Sequence, residues 1–469
     1  MSEFPQLPAG FRFGMSTAAY QIEGAVEEDG RGVSIWDTFT HEPGRIRGGE
    51  NGDVAIDHYH RWESDLAHLA DAGIHDYRFS IAWPRIVPRG TGSANETGLA
   101  FYDRLVDGLL ARGIRPVPTL YHWDLPQALE DRGGWLARET AEAFADYVGI
   151  VAERLGDRVR DWITLNEMSV HTLYGYALTD HAPGRGLGFE ALPAAHHQLL
   201  AHGLAVRALR SAGAERVGVA AQHFPVEAAS DAEEDLVAAG TFHALTNRLF
   251  AQPILAGSYP EELRPLLPLD DAQLASDLAV ISAPLDFYGV NYYEPVRIEA
   301  PRAGVDYAGT LEVDIPEGLP FAPVPYPSEE RTDFGWAIVP AGLTAVLAEL
   351  HESYPGMPPI VITENGASFH DVPNADGTVN DPRRIAYLDA HLRAVADAVA
   401  AGVDVRGYYV WSAFDNFEWA AGYQERFGLV YVDYATQERI RKSSWAWYRD
   451  VIAANASSPT PSSDGQEQA

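Results

Sequence analysis

The sequence predicts an α/β fold, a single (β/α)8 TIM barrel whose long loops after the strands form an active-site pocket. Three observations carry that reading. Short β-branched apolar runs recur along the chain, amphipathic helical stretches separate them, and glycines stand where the helices would end. Runs that are apolar at consecutive positions mark strands buried on both faces, and helical crossovers between them make the sheet parallel.

In chain order, residues 11–16 supply the first strand. Tyr59, Trp62, Leu66 and Leu69 share one helix face, Gly73 follows, and 74–82 reads as a strand. Phe101, Leu105 and Leu109 lead through Gly113 to a strand at 114–121. Phe144, Val148, Val151 and Leu155 lead through Gly156 to 159–166, and Leu199, Leu204 and Leu209 through Gly213 to 217–222. Strands at 286–292 and 360–363 come next. A helix through Ile385, Leu388, Leu392, Val395 and Val399, opened by Asp381 as cap and Pro382 in the first turn, then passes Gly402 into the eighth strand at 405–411. An open doubly wound sheet would want a phosphate-binding glycine turn after an early strand. Gly184-Arg185-Gly186-Leu187-Gly188 lacks that strand-turn-helix context. Residues 294–340 are Pro-rich and without periodicity, as in a lid or wall over the barrel mouth. The barrel is assigned to 1–452 and a disordered tail to 453–469.

With 469 residues, 46% of them hydrophobic, the chain can bury one large core. It has no cysteine, which excludes disulfides, thiolate metal sites and thiol nucleophiles. No apolar run is long enough to span a membrane, and no leader pattern opens the sequence, so a cytoplasmic protein is expected. The net charge of -33 repels nucleic acid and anionic membranes, and neither is expected as a partner. The acidic run Asp231, Glu233, Glu234 and Asp235 reads as a solvated helix start. His58 and His60, or His196, His197 and His202, come without a metal-ligand motif, so no metal is expected.

Two glutamates stand out by position. Glu167 follows Ile163-Thr164-Leu165-Asn166, and Glu364 follows Ile360-Val361-Ile362-Thr363. A carboxylate closing a buried apolar run is costly unless a polar cavity receives it. Two such acids converging on one bond are the equipment of glycoside hydrolysis. The other strand ends are also polar or aromatic: Gln21, Arg78, His122-Trp123, Asn291-Tyr292-Tyr293 and Trp411.

Seven motifs in this order, each at a strand end, extend the pattern: Phe11-Arg12-Phe13-Gly14, Tyr20-Gln21-Ile22-Glu23-Gly24, Tyr77-Arg78-Phe79-Ser80, Tyr121-His122-Trp123-Asp124-Leu125-Pro126, Thr164-Leu165-Asn166-Glu167, Thr363-Glu364-Asn365-Gly366 and Asp415-Asn416-Phe417-Glu418-Trp419. In these the chain resembles the family 1 glycoside hydrolases, retaining β-glucosidases, from about residue 10 to 450. The resemblance implies Glu167 as general acid/base and Glu364 as nucleophile, supported by Arg78, Asn166 and Tyr293. It implies sugar contacts from Gln21, His122, Trp123, Asn291, Trp411, Glu418 and Trp419, with Trp336 on the aglycone side. It implies a small-molecule β-glycoside substrate, no cofactor, and transglycosylation to added alcohols; oligomeric state is left open. The physics gives the same division: carboxyls roughly 5–5.5 Å apart, one neutral and one held ionised by a fixed cation such as Arg78. Glu418-Trp419, with Lys442 as the only lysine, favours an unphosphorylated sugar, because a carboxylate repels a phosphate. The expected activity is release of terminal β-D-glucosyl residues from β-glucosides and short oligosaccharides. β-Galactosidase, β-fucosidase or broad β-glycosidase activity is the alternative. A glycan-binding barrel would have lost one glutamate, and a cellulase acting within long chains would need an open cleft.

Overall fold

The computed structural model describes residues 4–267, 269–305, 307 and 318–456. Eight parallel strands close into a barrel: β1 (Arg12–Ser16), β2 (Asp76–Ser80), β3 (Arg115–Tyr121), β4 (Asp161–Asn166), β5 (Arg216–Gln222), β6 (Phe287–Asn291), β7 (Ile360–Asn365) and β8 (Val405–Trp411). Each pairs with its sequence neighbour, and β1 closes the ring on β8 in the register Gly14↔Tyr409, Ser16↔Trp411. Helices such as His58–Asp71, Glu96–Leu110, Arg138–Leu155 and Pro382–Ala400 form the outer layer, burying the faces that the sequence periodicity marks. Every strand expected from the sequence is present, within two residues at either end.

Alternation along each strand decides what fills the barrel. Val117, Ile163, Ala220, Phe287, Val361 and Tyr409 pack together as one interior layer. Two residues further along the same strands stand Thr119, Thr363 and Trp411, where the lining turns toward function. Below the apolar layer, buried Asp76 accepts Arg12 Nε at 2.7 Å, Arg115 Nε at 2.8 Å and the Tyr409 hydroxyl at 3.0 Å. Burial pushes its carboxyl up, but the two guanidiniums outweigh this and hold it below the usual range.

Local details depart from the sequence reading for identifiable reasons. Gly73, Gly113, Gly213 and Gly402 adopt the left-handed conformation expected of them, whereas Gly156 has φ −67°. A Cβ at Gly156 would lie 2.5 Å from the Ala152 carbonyl oxygen, so space rather than backbone freedom selects glycine there. Asp381 precedes the helix Pro382–Ala400 but does not cap it with its side chain; its carboxylate takes Arg384 Nε at 2.9 Å and Ser444 N at 2.8 Å. Asp235 is buried rather than solvated, accepting the Ser230 hydroxyl and Ala300 N. The 294–340 segment is not structureless: Val296–Glu299 and Ala322–Val324 join Val226–Ala228 in a small sheet. The last helix, Ser443–Ala456, overruns the expected start of the tail at 453, because Asn455 is tied to Leu7 N and the Pro5 carbonyl. The remainder of that tail, 457–469, lies outside the described residues. Among the described residues no helix is long and apolar enough to cross a membrane.

Replacing Asp76 with alanine would leave Arg12 without its carboxylate and Arg115 with Asp161 alone, at 3.1 Å. The expected loss is roughly 3 kcal/mol of stability, read as a lower chemical-denaturation midpoint. The strand C-termini lie at the opposite end of the barrel, so folded Asp76→Ala protein should keep its substrate affinity.

Candidate active site

Both glutamates are placed by the same local device. On β4 the pairing steps from Ile163↔Gly218 to Asn166↔Ala220, and on β7 from Ile362↔Val290 to Glu364↔Asn291. Each strand therefore gains one residue over its partner just before its glutamate. Such irregularities re-aim side chains at barrel rims. Glu167 itself is left-handed, with φ 44°, as are Trp123 at 74° and Trp419 at 44°. A non-glycine residue held there costs on the order of 1 kcal/mol or more, and such strain gathers where surrounding structure fixes a functional geometry.

The two carboxyls open on one cavity of about 410 Å³. Glu364 receives Arg78 Nη1 at 2.5 Å and the Tyr293 hydroxyl at 2.6 Å. Among the described residues Glu167 receives only Asn291 Nδ2, at 2.7 Å. Burial, then the nearby charge of Glu364, pushes the Glu167 carboxyl up from 4.5 to about 8, while Asn291 and Arg78 resist the shift. One acid is thus fixed by a cation and a phenol, and the other keeps its proton near neutrality. That pairing can protonate a leaving group on one side of a bond while offering a negative oxygen on the other.

A polar network beneath the cavity sets the orientation of each amide. The Thr363 hydroxyl donates to Asn291 Oδ1 at 2.6 Å, which turns Asn291 Nδ2 toward Asn166 Oδ1 and Glu167. Asn166 Oδ1 also accepts Arg78 Nη2 at 2.6 Å, and Asn166 Nδ2 donates to His122 Nε2 at 3.1 Å. His122 is held well below its ordinary pKa, first by burial and then by Arg78, and so is neutral. With Nε2 accepting, its proton sits on Nδ1, a buried atom without a partner among the described residues. Around it stands an aromatic wall: His122 lies 5.8 Å from both Trp411 and Trp419, near parallel to each, and Trp123 lies 4.6 Å from Trp419.

Of the residues singled out in the sequence, Glu167, Glu364, His122, Trp123, Tyr293, Trp336, Trp411, Glu418 and Trp419 line the cavity. Arg78, Asn166, Asn291 and Gln21 stand behind its wall. The Asn291 amide is in contact with Thr363, Asn166 and Glu167, a geometry in which it also positions the acid. Gln21 donates to the Phe417 carbonyl at 2.8 Å and more distantly to Glu418 Oε2, bracing the loop after β8. The histidines considered as metal ligands are taken singly: His58 by Asp65, His196 by Asp277, His202 by Thr164. Among the described residues no group of three or more potential ligands is placed to hold a metal.

Comparison with known proteins now bears on this geometry. The family model described as Glycosyl hydrolase family 1 matches residues 4–457. The chain belongs to glycosyl hydrolase family 1. It is 50% identical over 455 residues to the thermostable β-glucosidase B of Thermobispora bispora, covering 96% of this chain and 91% of that one. It is 46% identical to a bifunctional β-D-glucosidase/β-D-fucosidase of Bifidobacterium breve, over 95% and 98% of the two chains. The solved family 1 β-glucosidase of Thermotoga maritima superposes with a TM-score of 0.90 at 43% identity, covering 97% and 99%.

Within this family 1 site, sequence reasoning missed Thr363, Thr119 and Phe427. Thr119 accepts Arg78 Nε at 3.0 Å, and Phe427 packs against Trp411, Tyr293 and Trp336. The threonines carry a readable signal, a hydroxyl on an inward strand position one or two residues before the strand ends. Phe427 carries none.

The raised Glu167 pKa also predicts a stability profile. A carboxyl protonated more tightly when folded adds stability at low pH, and that contribution is lost as pH rises from 4.5 through about 8. Glu167→Gln removes the group, so its denaturation midpoint relative to wild type should be higher at pH 9 than at pH 4. The difference should be at least ~1.4 kcal/mol, the equivalent of one pKa unit.

Proposed function

We propose that this family 1 chain is a retaining β-glucosidase that releases terminal β-D-glucosyl residues by double displacement. The observation that carries the reading is the unequal pair of carboxyls in one cavity, Glu364 fixed by Arg78 and Tyr293 and Glu167 buried with its pKa raised. In the first step Glu364 attacks the anomeric carbon and Glu167 gives its proton to the departing glycosidic oxygen. The resulting ester has no charge at Glu364, so the repulsion that adds to burial in raising the Glu167 pKa disappears, and that pKa falls. Glu167 then takes a proton from water, which attacks the ester and releases the sugar with its original configuration. Neither step calls for a cofactor.

For the sugar itself, His122 and Glu418 supply polar groups in the cavity lining, and the indoles cover the apolar face of the ring. An unphosphorylated sugar fits: Lys442 is buried and paired with Asp371 at 2.7 Å and Asp415 at 2.8 Å, so it is not offered to the cavity. The names of the relatives support glucose as the main glycone. The bifunctional Bifidobacterium breve relative supports β-fucoside hydrolysis as a second activity.

Glu364→Ala should lose activity on aryl β-glucosides by about 10³-fold or more. Adding azide should then restore turnover and yield the α-glucosyl azide. An active Glu364→Ala variant, or a β-configured azide, would dismiss the assignment. Glu167→Gln should lose roughly 10²–10⁴-fold on alkyl glucosides and much less on a dinitrophenyl glucoside, whose leaving group needs no proton. For wild type, kcat/KM should fall as pH rises through about 8, where Glu167 gives up its proton, and Glu167→Gln should lack that limb.

A further inference from the structure

Beyond the sugar site, the cavity extends along a wall that hydrolysis of the glycosidic bond does not use. Phe224, Phe242, Val296 and Phe321 form a hydrophobic cluster separate from the main core, with Leu245 and Leu319 packed against it. Phe242 meets Phe321 edge-on at 5.2 Å and Phe224 at 6.3 Å. All six also line the cavity that holds Glu167 and Glu364. The cluster is therefore closed by barrel and helix on one side and faces ligand space on the other.

The polar capacity of this wall is already taken. The Thr246 hydroxyl donates to the Phe242 carbonyl at 2.9 Å, and the Asn247 amide bridges Phe224 N and O at 3.2 and 2.8 Å. No arginine or lysine lines the cavity among the described residues. Its polar lining includes strand-end groups, Gln222 closing β5, Glu294 three residues past β6 and Ser169 two past Glu167, together with Thr172, Tyr174 and His181. Both π-helical turns among the described residues, His171–Ala177 and Ala244–Arg248, contribute lining residues, and such turns recur at functional sites.

Resting on the β-glucosidase reading, we infer that the aglycone this enzyme is built to take is an uncharged apolar chain or ring system, in preference to a second sugar. Hydroxyls of a second sugar placed against this wall would leave water without partners to receive them, which is unfavourable. Each methylene that becomes fully buried there raises kcat/KM about fourfold.

Glucosyl fluoride, whose leaving group reaches no aglycone wall, provides the reference substrate. It is compared with cellobiose and with n-butyl, n-hexyl and n-octyl β-D-glucosides. For wild type, kcat/KM should rise at least about tenfold from butyl to octyl, and octyl glucoside should exceed cellobiose. Leu245→Ser and Phe189→Ser, at half-buried and exposed positions of the lining, should flatten that rise, while Leu245→Met should keep it. The readout is the ratio to glucosyl fluoride in each protein, so a general loss of folded enzyme does not mimic the effect. Fluoride cleavage with no chain-length dependence, or with cellobiose preferred, would overturn the inference and leave the glucosidase reading standing. No cleavage of the fluoride would overturn that reading, and the inference with it.

Discussion

The Arg78 guanidinium, fully buried inside the barrel, would be prohibitively costly without partners. Its donors reach Thr119 on β3, Asn166 on β4, and both the Thr363 carbonyl and the Glu364 side chain on β7. One rigid planar cation on β2 therefore fixes three other strands at the level where their side chains turn catalytic. Because a guanidinium presents its donors in a fixed fork, moving any one partner misaligns the rest. Asn166 in turn contacts Asn291 and His122, which links both to the same charge at one remove, with Thr363 on β7 setting the Asn291 amide from the other side.

Around that hub the backbone departs from regularity in ways that regular strands could not supply. Alternation alone would point Asn166 and Glu167 to opposite faces, as it would Thr363 and Glu364. The extra residue in β4 and in β7, with the left-handed turn at Glu167, lets both members of each pair serve one cavity. Trp123 and Trp419 are turned by the same means, which brings indoles from two distant loops within 4.6 Å. Asp76 and its arginines close the far end of the barrel.

Legibility in the sequence followed the range of the interaction. Strands and helices could be read because periodicity is local, and the two glutamates because a carboxylate after a β-branched run contradicts its own neighbourhood. Asn291 reads as a ligand contact because its strand-end position is local, whereas its part in positioning the acid rests on partners 72, 125 and 124 residues away. Asp381 and Asp235 look like a cap and a solvated charge until Ser444 and Ala300 arrive from elsewhere in the chain. The apolar wall of Phe224, Phe242 and Phe321 was invisible for the same reason, since each phenylalanine alone is indistinguishable from core.

The same distinction separates the surface charge from the chemistry. A net charge of -33 surrounds this site, yet exposed charges are screened over about 8–10 Å at physiological salt. The proton on Glu167 is held by burial and by one neighbouring carboxylate, both inside the cavity and both beyond the reach of counter-ions. Arg78 and Tyr293 fix Glu364 from behind, so esterification there is the one event that can change the field at Glu167 abruptly. A site built this way takes its timing from the reaction itself and leaves the acidic exterior free to vary.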